Sequence, residues 1–246
     1  DAAQAGVTLI QTFFPVTLDE PIDIYIYASP TELQDTLLLG GQSWVGGHAS
    51  AELDVVMVAI KPGLEQNIEM RQQIPHELAH ILLSRYLGAG YVNLPTWLRE
   101  GIASISELYP NPDYRQALDV ARNEKSLIPI ADLCGPFPRD ASRAFLAYAE
   151  AESFTRYIYD NHGTSGLDVL IRTYADGVSC DPAVTSALDV PLTVLDARWR
   201  ESVLGENLLG VALRNLSPYL FVLGLILVAP FVTGIISIIR KKRNAR

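Results

Sequence analysis

The sequence predicts an α+β domain followed by one C-terminal transmembrane helix. Three observations carry this. Two short β-rich runs fall in the first 60 positions, helical patterns fill most of the chain from there to about position 204, and an uncharged stretch of 22 residues lies near the C-terminus.

Taken in order, residues 22–28 (IDIYIYA) alternate Ile and Tyr with polar or small residues between Pro21 and Pro30, which predicts a strand. A short helix is expected over Thr31–Leu39, then a Gly-rich stretch, Gly40-Gly41 and Gly46-Gly47-His48. Val55–Ile60 (VVMVAI) predicts a second strand, closed by the turn signal Lys61-Pro62-Gly63. Leu64–Leu87 is helical in pattern, with an interruption expected at Pro75; a turn over Gly88–Asn93 leads to a helix over Thr96–Leu108, started by Pro95 and Thr96. Further helices are expected near 113–123, 141–161, 165–176, 182–188 and 191–204, with Gly163 and Gly177 as stops. The chain thus divides into an N-terminal strand region (1–63), a pair of helices (64–110), a helical part (111–204), a linker (205–217), the apolar segment (218–239) and a basic tail (240–246).

The apolar segment, PYLFVLGLILVAPFVTGIISII, holds no charge and as a helix would reach roughly 33 Å, enough to cross a bilayer core. Arg240-Lys241-Lys242-Arg243 and Arg246 follow it, which is the flank expected on the cytoplasmic side. The expected protein is therefore single-pass in the cell membrane, with its body extracytoplasmic, its C-terminus cytoplasmic and the lipid bilayer as a partner. That topology requires export, so the chain starting at Asp1 is read as a trimmed form whose leader has been removed. Cys134 and Cys180 fit an oxidising compartment and are expected to pair.

Charge points the same way. Residues 1–217 carry all 28 acids against 14 bases, so the body is strongly acidic. Nucleic acid is excluded as a partner, because phosphate contacts need a basic surface. Oligomeric state is not legible.

The chemistry concentrates at His76-Glu77-Leu78-Ala79-His80, an H-E-x-x-H pattern. On a helix, positions i and i+4 share one face, so both imidazoles can reach one metal ion. Glu77, rotated by about 100°, can point at a water beside that ion. Two of the four histidines fall in these five residues, which weighs against a pair of surface histidines. Zinc in a hydrolytic site takes three protein ligands. Glu100, in Leu94-Pro95-Thr96-Trp97-Leu98-Arg99-Glu100-Gly101-Ile102-Ala103, lies one helical hairpin further on; it either completes a His₂Glu set or is a solvated carboxylate beside Arg99.

H-E-x-x-H followed by Glu in a Trp-Leu-x-Glu-Gly-x-Ala setting resembles the gluzincin branch of the MA-clan zinc metallopeptidases, the thermolysin-related group. It is similar in particular to the short, often membrane-associated peptidase-MA-like proteins. The resemblance covers roughly residues 22–204, including the stretch Ala147 to Phe154 (AYAEAESF). It implies a zincin-like catalytic domain made of a small N-terminal sheet, the H-E-x-x-H helix, the Glu helix and a helical subdomain. It further implies one zinc ion per chain on His76, His80 and Glu100, with Glu77 as the base that activates water for peptide-bond hydrolysis. A peptide or protein substrate would lie along an edge formed by Val55, Val56, Met57 and Val58; His48, read from its Gly46-Gly47-His48 setting alone, either lines the cleft near that edge or is an exposed loop histidine. Tyr148 is the candidate for stabilising the transition state, with Tyr157 and His162 as fallbacks.

Two departures stand out. Thermolysin-like members place an Asp four residues after the ligand Glu to orient a ligand His; here that position is Ser104, which leaves Glu107 or a backbone carbonyl for the task. Pro75, directly before His76, is the other, and is expected to kink the helix or restart it at the motif. Two other functions stay open: a zincin-fold binding module without turnover, and a zinc hydrolase of non-peptide amides.

Overall fold

The computed structural model describes residues 1–36 and 46–206, together with Leu216, Tyr219, Phe221, Ile226 and Leu227. Residues 1–204 form one compact unit; Gly205–Arg246 belong to a second. Among the described residues no helix is long and apolar enough to cross a membrane. Most of the span expected over 218–239 lies outside the described residues, as do Leu37–Leu39 and Gly40-Gly41.

The architecture is α+β and rich in helix. Helix α1 (Ala2–Phe13) precedes strand β1 (Asp23–Tyr27), α2 (Pro30–Thr36), β2 (Gly47–Ser50) and β3 (Val55–Ala59). Then come α3 (Gln66–Leu87), a 3₁₀ turn (Gly88–Asn93), α4 (Thr96–Ile105) and α5 (Asp113–Glu124). A second 3₁₀ turn (Ile130–Leu133), α6 (Ala141–Ala175), α7 (Cys180–Leu188) and α8 (Leu192–Ser202) complete the unit. The sheet order is β1-β3-β2, with β1 parallel and β2 antiparallel to β3.

Two expectations need correction. Pro75 does not interrupt α3, which runs unbroken from Gln66 to Leu87. The second concerns β3. It is the central strand, paired on both sides, because Gly47–Ser50 forms a strand of its own beside it. Val55, Val56, Met57 and Val58 therefore present no free backbone edge, and the side chains of Val56 and Val58 are fully buried.

Helix α1 was not expected from the sequence. Its Val7, Ile10 and Phe13 are buried on one face, and it crosses α3 so closely that a Cβ on Gly6 would lie 2.9 Å from Pro75 Cβ and Cγ. Helix α6 is broken at Gly163, whose φ of 66° and ψ of −173° suit glycine alone. At the centre of the core Trp97 packs edge-on against Phe154, ring centroids 5.1 Å apart, and Phe154 in turn meets Trp199. Cys134 and Cys180 are joined in a disulfide with Cα atoms 6.2 Å apart.

One buried carboxyl belongs to this core rather than to any site. Glu150 is fully buried; its Oε1 accepts the Ile128 N–H at 2.9 Å, while Oε2 has no hydrogen-bond partner. Burial pushes its pKa up to about 8. In the unfolded chain the group ionises near the ordinary Glu value of about 4.3. Between these two values the folded state holds the extra proton, so stability falls as pH rises through that window. Glu150→Gln keeps the acceptor for Ile128 and removes the ionisation. Its stability, read from melting curves, should gain on the parent's as pH goes from about 5 to about 9, by on the order of a few kcal/mol. A pH-independent difference between the two would refute this.

Candidate metal and active site

Helix α3 carries His76 and His80 one turn apart, ring centroids 5.2 Å from each other. Helix α4 supplies Glu100, whose Oε2 lies 3.6 Å from His76 Nε2 and 3.7 Å from His80 Nε2. Backbone contact holds α4 in place. A Cβ on Gly101 would lie 2.0 Å from Thr155 Oγ1 and 2.5 Å from the Ala151 carbonyl, so only glycine lets α4 approach α6 this closely. Trp97, buried on the same helix, locks its rotation against Phe154.

Two imidazole nitrogens and one carboxylate oxygen thus lie within 4.8 Å of one another. Four-coordinate zinc, with bonds near 2.0–2.1 Å, sets its ligand atoms about 3.4 Å apart. The donor set fits in both type and spacing. The outer ring nitrogens fit as well: His76 Nδ1 donates to Glu107 Oε1 at 3.0 Å, and His80 Nδ1 meets the Tyr91 hydroxyl at 3.1 Å. With Nδ1 protonated, each Nε2 keeps its lone pair for a cation.

Glu107 takes the place left by Ser104, which is buried in α4. It lies just past the end of α4, and Pro75 helps to hold it there. Having no N–H, Pro75 cannot bond the Arg71 carbonyl four residues back. That carbonyl instead accepts the Leu108 N–H at 2.9 Å, tying α3 to the residue next to Glu107. Sequence reasoning named Glu107 as one of two options. It missed Tyr91, whose position depends on the 3₁₀ turn between the two helices.

A cleft of about 700 Å³ opens over these groups. Glu77 lines it, and its carboxyl packs under strand β2: a Cβ on Gly47 would lie 2.3 Å from Glu77 Oε1. His48 and Tyr148 also line the cleft, as do Tyr91, Tyr114 and Arg99, three residues given no role from the sequence. Tyr157 and His162 are not among its walls. Among the described residues, the free edge beside the cleft is β2. Its Gly46 carbonyl accepts the Ala59 N–H at 2.7 Å, so antiparallel alternation turns the backbone groups of Gly47 and Ala49 to the open side.

Residues 2–205 match the family model of the Peptidase MA superfamily. The chain belongs to the peptidase MA superfamily. No curated protein matches it.

The electrostatics of this MA-superfamily site follow from burial and crowded carboxylates. Burial raises the pKa of Glu77 to about 7, with Glu100 and Glu107 adding to the effect and His76 opposing it. His80 is lowered to about 4, chiefly by burial. His76 goes the other way: burial pulls it down, but the carboxylates of Glu100 and Glu107 outweigh that. Burial would raise Glu100, yet the two imidazoles hold it below the usual carboxylate range. Burial and nearby carboxylates push the hydroxyls of Tyr148 and Tyr114 well up, so both remain proton donors. A carboxyl that burial makes a stronger base, beside neutral hydroxyl donors, is an arrangement suited to moving protons.

Proposed function

We propose that the protein is a membrane-anchored zinc metallopeptidase acting outside the cytoplasm. The observation that carries the reading is the convergence of His76, His80 and Glu100 within ligand distance of one another, with Glu77 beside them in an open cleft. Membership of the peptidase MA superfamily supports peptides or proteins as substrates.

Zinc held by His76, His80 and Glu100 would supply Lewis acidity at the scissile carbonyl and make water a better acid. Glu77 accepts the proton of the attacking water and passes it to the departing amine. A hydroxyl aimed at the developing oxyanion assists; Tyr148 fills that role, with Tyr114 on the same wall. An extended peptide pairs with the open side of β2 through Gly47 and Ala49, while α3 and α6 wall in the reacting bond. Loss of Glu107's hydrogen bond would free the His76 ring. Glu107→Ala should lower zinc affinity about 10–100-fold in a competitive chelator titration, with the ligand set intact. Unchanged affinity would show that Glu107 orients nothing.

The anchoring part of the reading rests on the apolar segment. Its described positions support it: Tyr219, Phe221, Ile226 and Leu227 are helical and each more than half exposed, the kind of surface a bilayer covers. The disulfide supports an oxidising compartment.

The test is to incubate the full chain in detergent, with zinc and after chelation, with a diverse peptide library and to read the cuts by mass spectrometry. Zinc-dependent cuts are expected at one zinc per chain. No cuts at full zinc content would turn the reading toward a binding module or a hydrolase of non-peptide amides.

A further inference from the structure

Arg99 stands at the cleft wall next to Glu100 in sequence, yet it has no ion-pair partner among the described residues. Its Nε is buried with no hydrogen-bond partner, and its NH2 group reaches Thr96 Oγ1 only at 3.5 Å. Of the other ten described arginines, six (Arg85, Arg115, Arg122, Arg156, Arg172 and Arg200) are in ion pairs, while Arg71, Arg139, Arg143 and Arg198 are not and do not line the cleft. The buried Nε is closed to water and ligand alike, so an incoming carboxylate would meet the outer NH groups of the guanidinium, in a charge-assisted pair stronger than a neutral hydrogen bond. Arg99 is also the only Lys or Arg lining the cleft among the described residues.

Its place along the cleft follows from its neighbours. The guanidinium lies over the Tyr91 ring at 5.7 Å, and the Tyr91 hydroxyl bonds His80. Arg99 therefore belongs to the His80 end. Strand β2 runs toward that same end: Gly46 lies against Gln73, Gly47 against Glu77, and His48 follows. A peptide antiparallel to β2 would run the opposite way, with the residues before the scissile bond at the His80 end.

Resting on the peptidase reading above, we infer that Arg99 selects substrates with a side-chain carboxylate, Asp or Glu, on the N-terminal side of the scissile bond. The competing role is purely internal, with Arg99 holding Glu100 ionised. That role would affect zinc affinity and leave substrate preference alone.

The test is binding of a neutral heptapeptide in which one Glu or Gln is walked along the chain, with the C-terminus free or amidated. The protein is the full chain in detergent, zinc-loaded and carrying Glu77→Gln. Glu at positions in the N-terminal half should bind about ten-fold or more tightly than Gln, regardless of amidation. Arg99→Gln should erase the difference at unchanged zinc content, and Arg99→Lys should restore part of it. Equal binding of the Glu and Gln peptides, a preference that survives Arg99→Gln, or one that follows the free C-terminus would each overturn the inference. So would a loss of zinc in Arg99→Gln with the preference kept. Cleavage of the same peptides by the unmutated chain is read separately. Cutting without discrimination removes the role of Arg99 and leaves the peptidase standing. Failure to cut at full zinc content removes the peptidase reading, while the binding series still decides Arg99.

Discussion

Glu77→Gln is expected to lower kcat/KM by about a thousand-fold while leaving zinc content unchanged. The side chain keeps its shape and loses only its ability to accept a proton, and positioned general bases are worth roughly 10²–10⁴-fold. His76, His80 and Glu100 do not depend on it for their positions, since their orienting partners are Glu107, Tyr91 and the α4–α6 contact. Paired measurement of turnover and bound zinc gives the answer. Full turnover in the variant would remove Glu77 from the mechanism, and loss of zinc would make it a ligand instead. A companion change tests the same group from the other side. Gly47→Ala would place a methyl where the Glu77 carboxyl now sits. Because the carboxyl is the mobile end of a side chain, it would move rather than the strand. The expected result is a lower kcat with KM little altered, and an equal fall in affinity for bound peptide would argue that Gly47 acts on substrate alone.

The second large effect concerns the disulfide. Cys134 and Cys180 are 46 positions apart, and closing a loop of that size stabilises the fold by about 4 kcal/mol on the chain-entropy account. The bond does more than shorten the unfolded chain. The Cys134 carbonyl accepts the Thr96 N–H at 3.2 Å, in the first turn of the helix that carries Glu100. The Cys180 carbonyl accepts the Tyr174 hydroxyl at 2.8 Å. Replacing both cysteines by serine should lower the melting temperature by roughly 10 °C. Reduction of the parent should do the same, and reduction of the double variant nothing. A parent whose melting is unmoved by reductant would mean that native contacts alone hold this corner.

What could be read in advance was what depends on short spacing. His76, Glu77 and His80 share one helix, so their geometry follows from period alone; Glu100 needed only one turn between two helices. Gly163 was legible as a break because glycine alone suits its backbone. The misreadings lie where meaning depends on distant partners. Gly47-His48-Ala49-Ser50 has no β-branched residue, and it is a strand because β3 pairs with it; once it does, β3 cannot be an edge. Tyr91 reaches His80 only through the tight turn after α3. Helix α1 carries Val7, Ile10 and Phe13 at helical spacing, a signal present in the sequence and passed over.

Pro75 bears on how this protein would respond to improvement. Proline in a helix interior costs about 3 kcal/mol in general, so a search for better stability would replace it early. Alanine there would restore an amide able to close its own ring with the Arg71 carbonyl. The carbonyl that now serves Leu108 would then have a further suitor, one built into the helix. The segment holding Glu107 would lose its exclusive claim, and with it the His76 ring would lose a fixed bearing. Selection for heat resistance alone would therefore favour a sturdier helix over a well-aimed ligand.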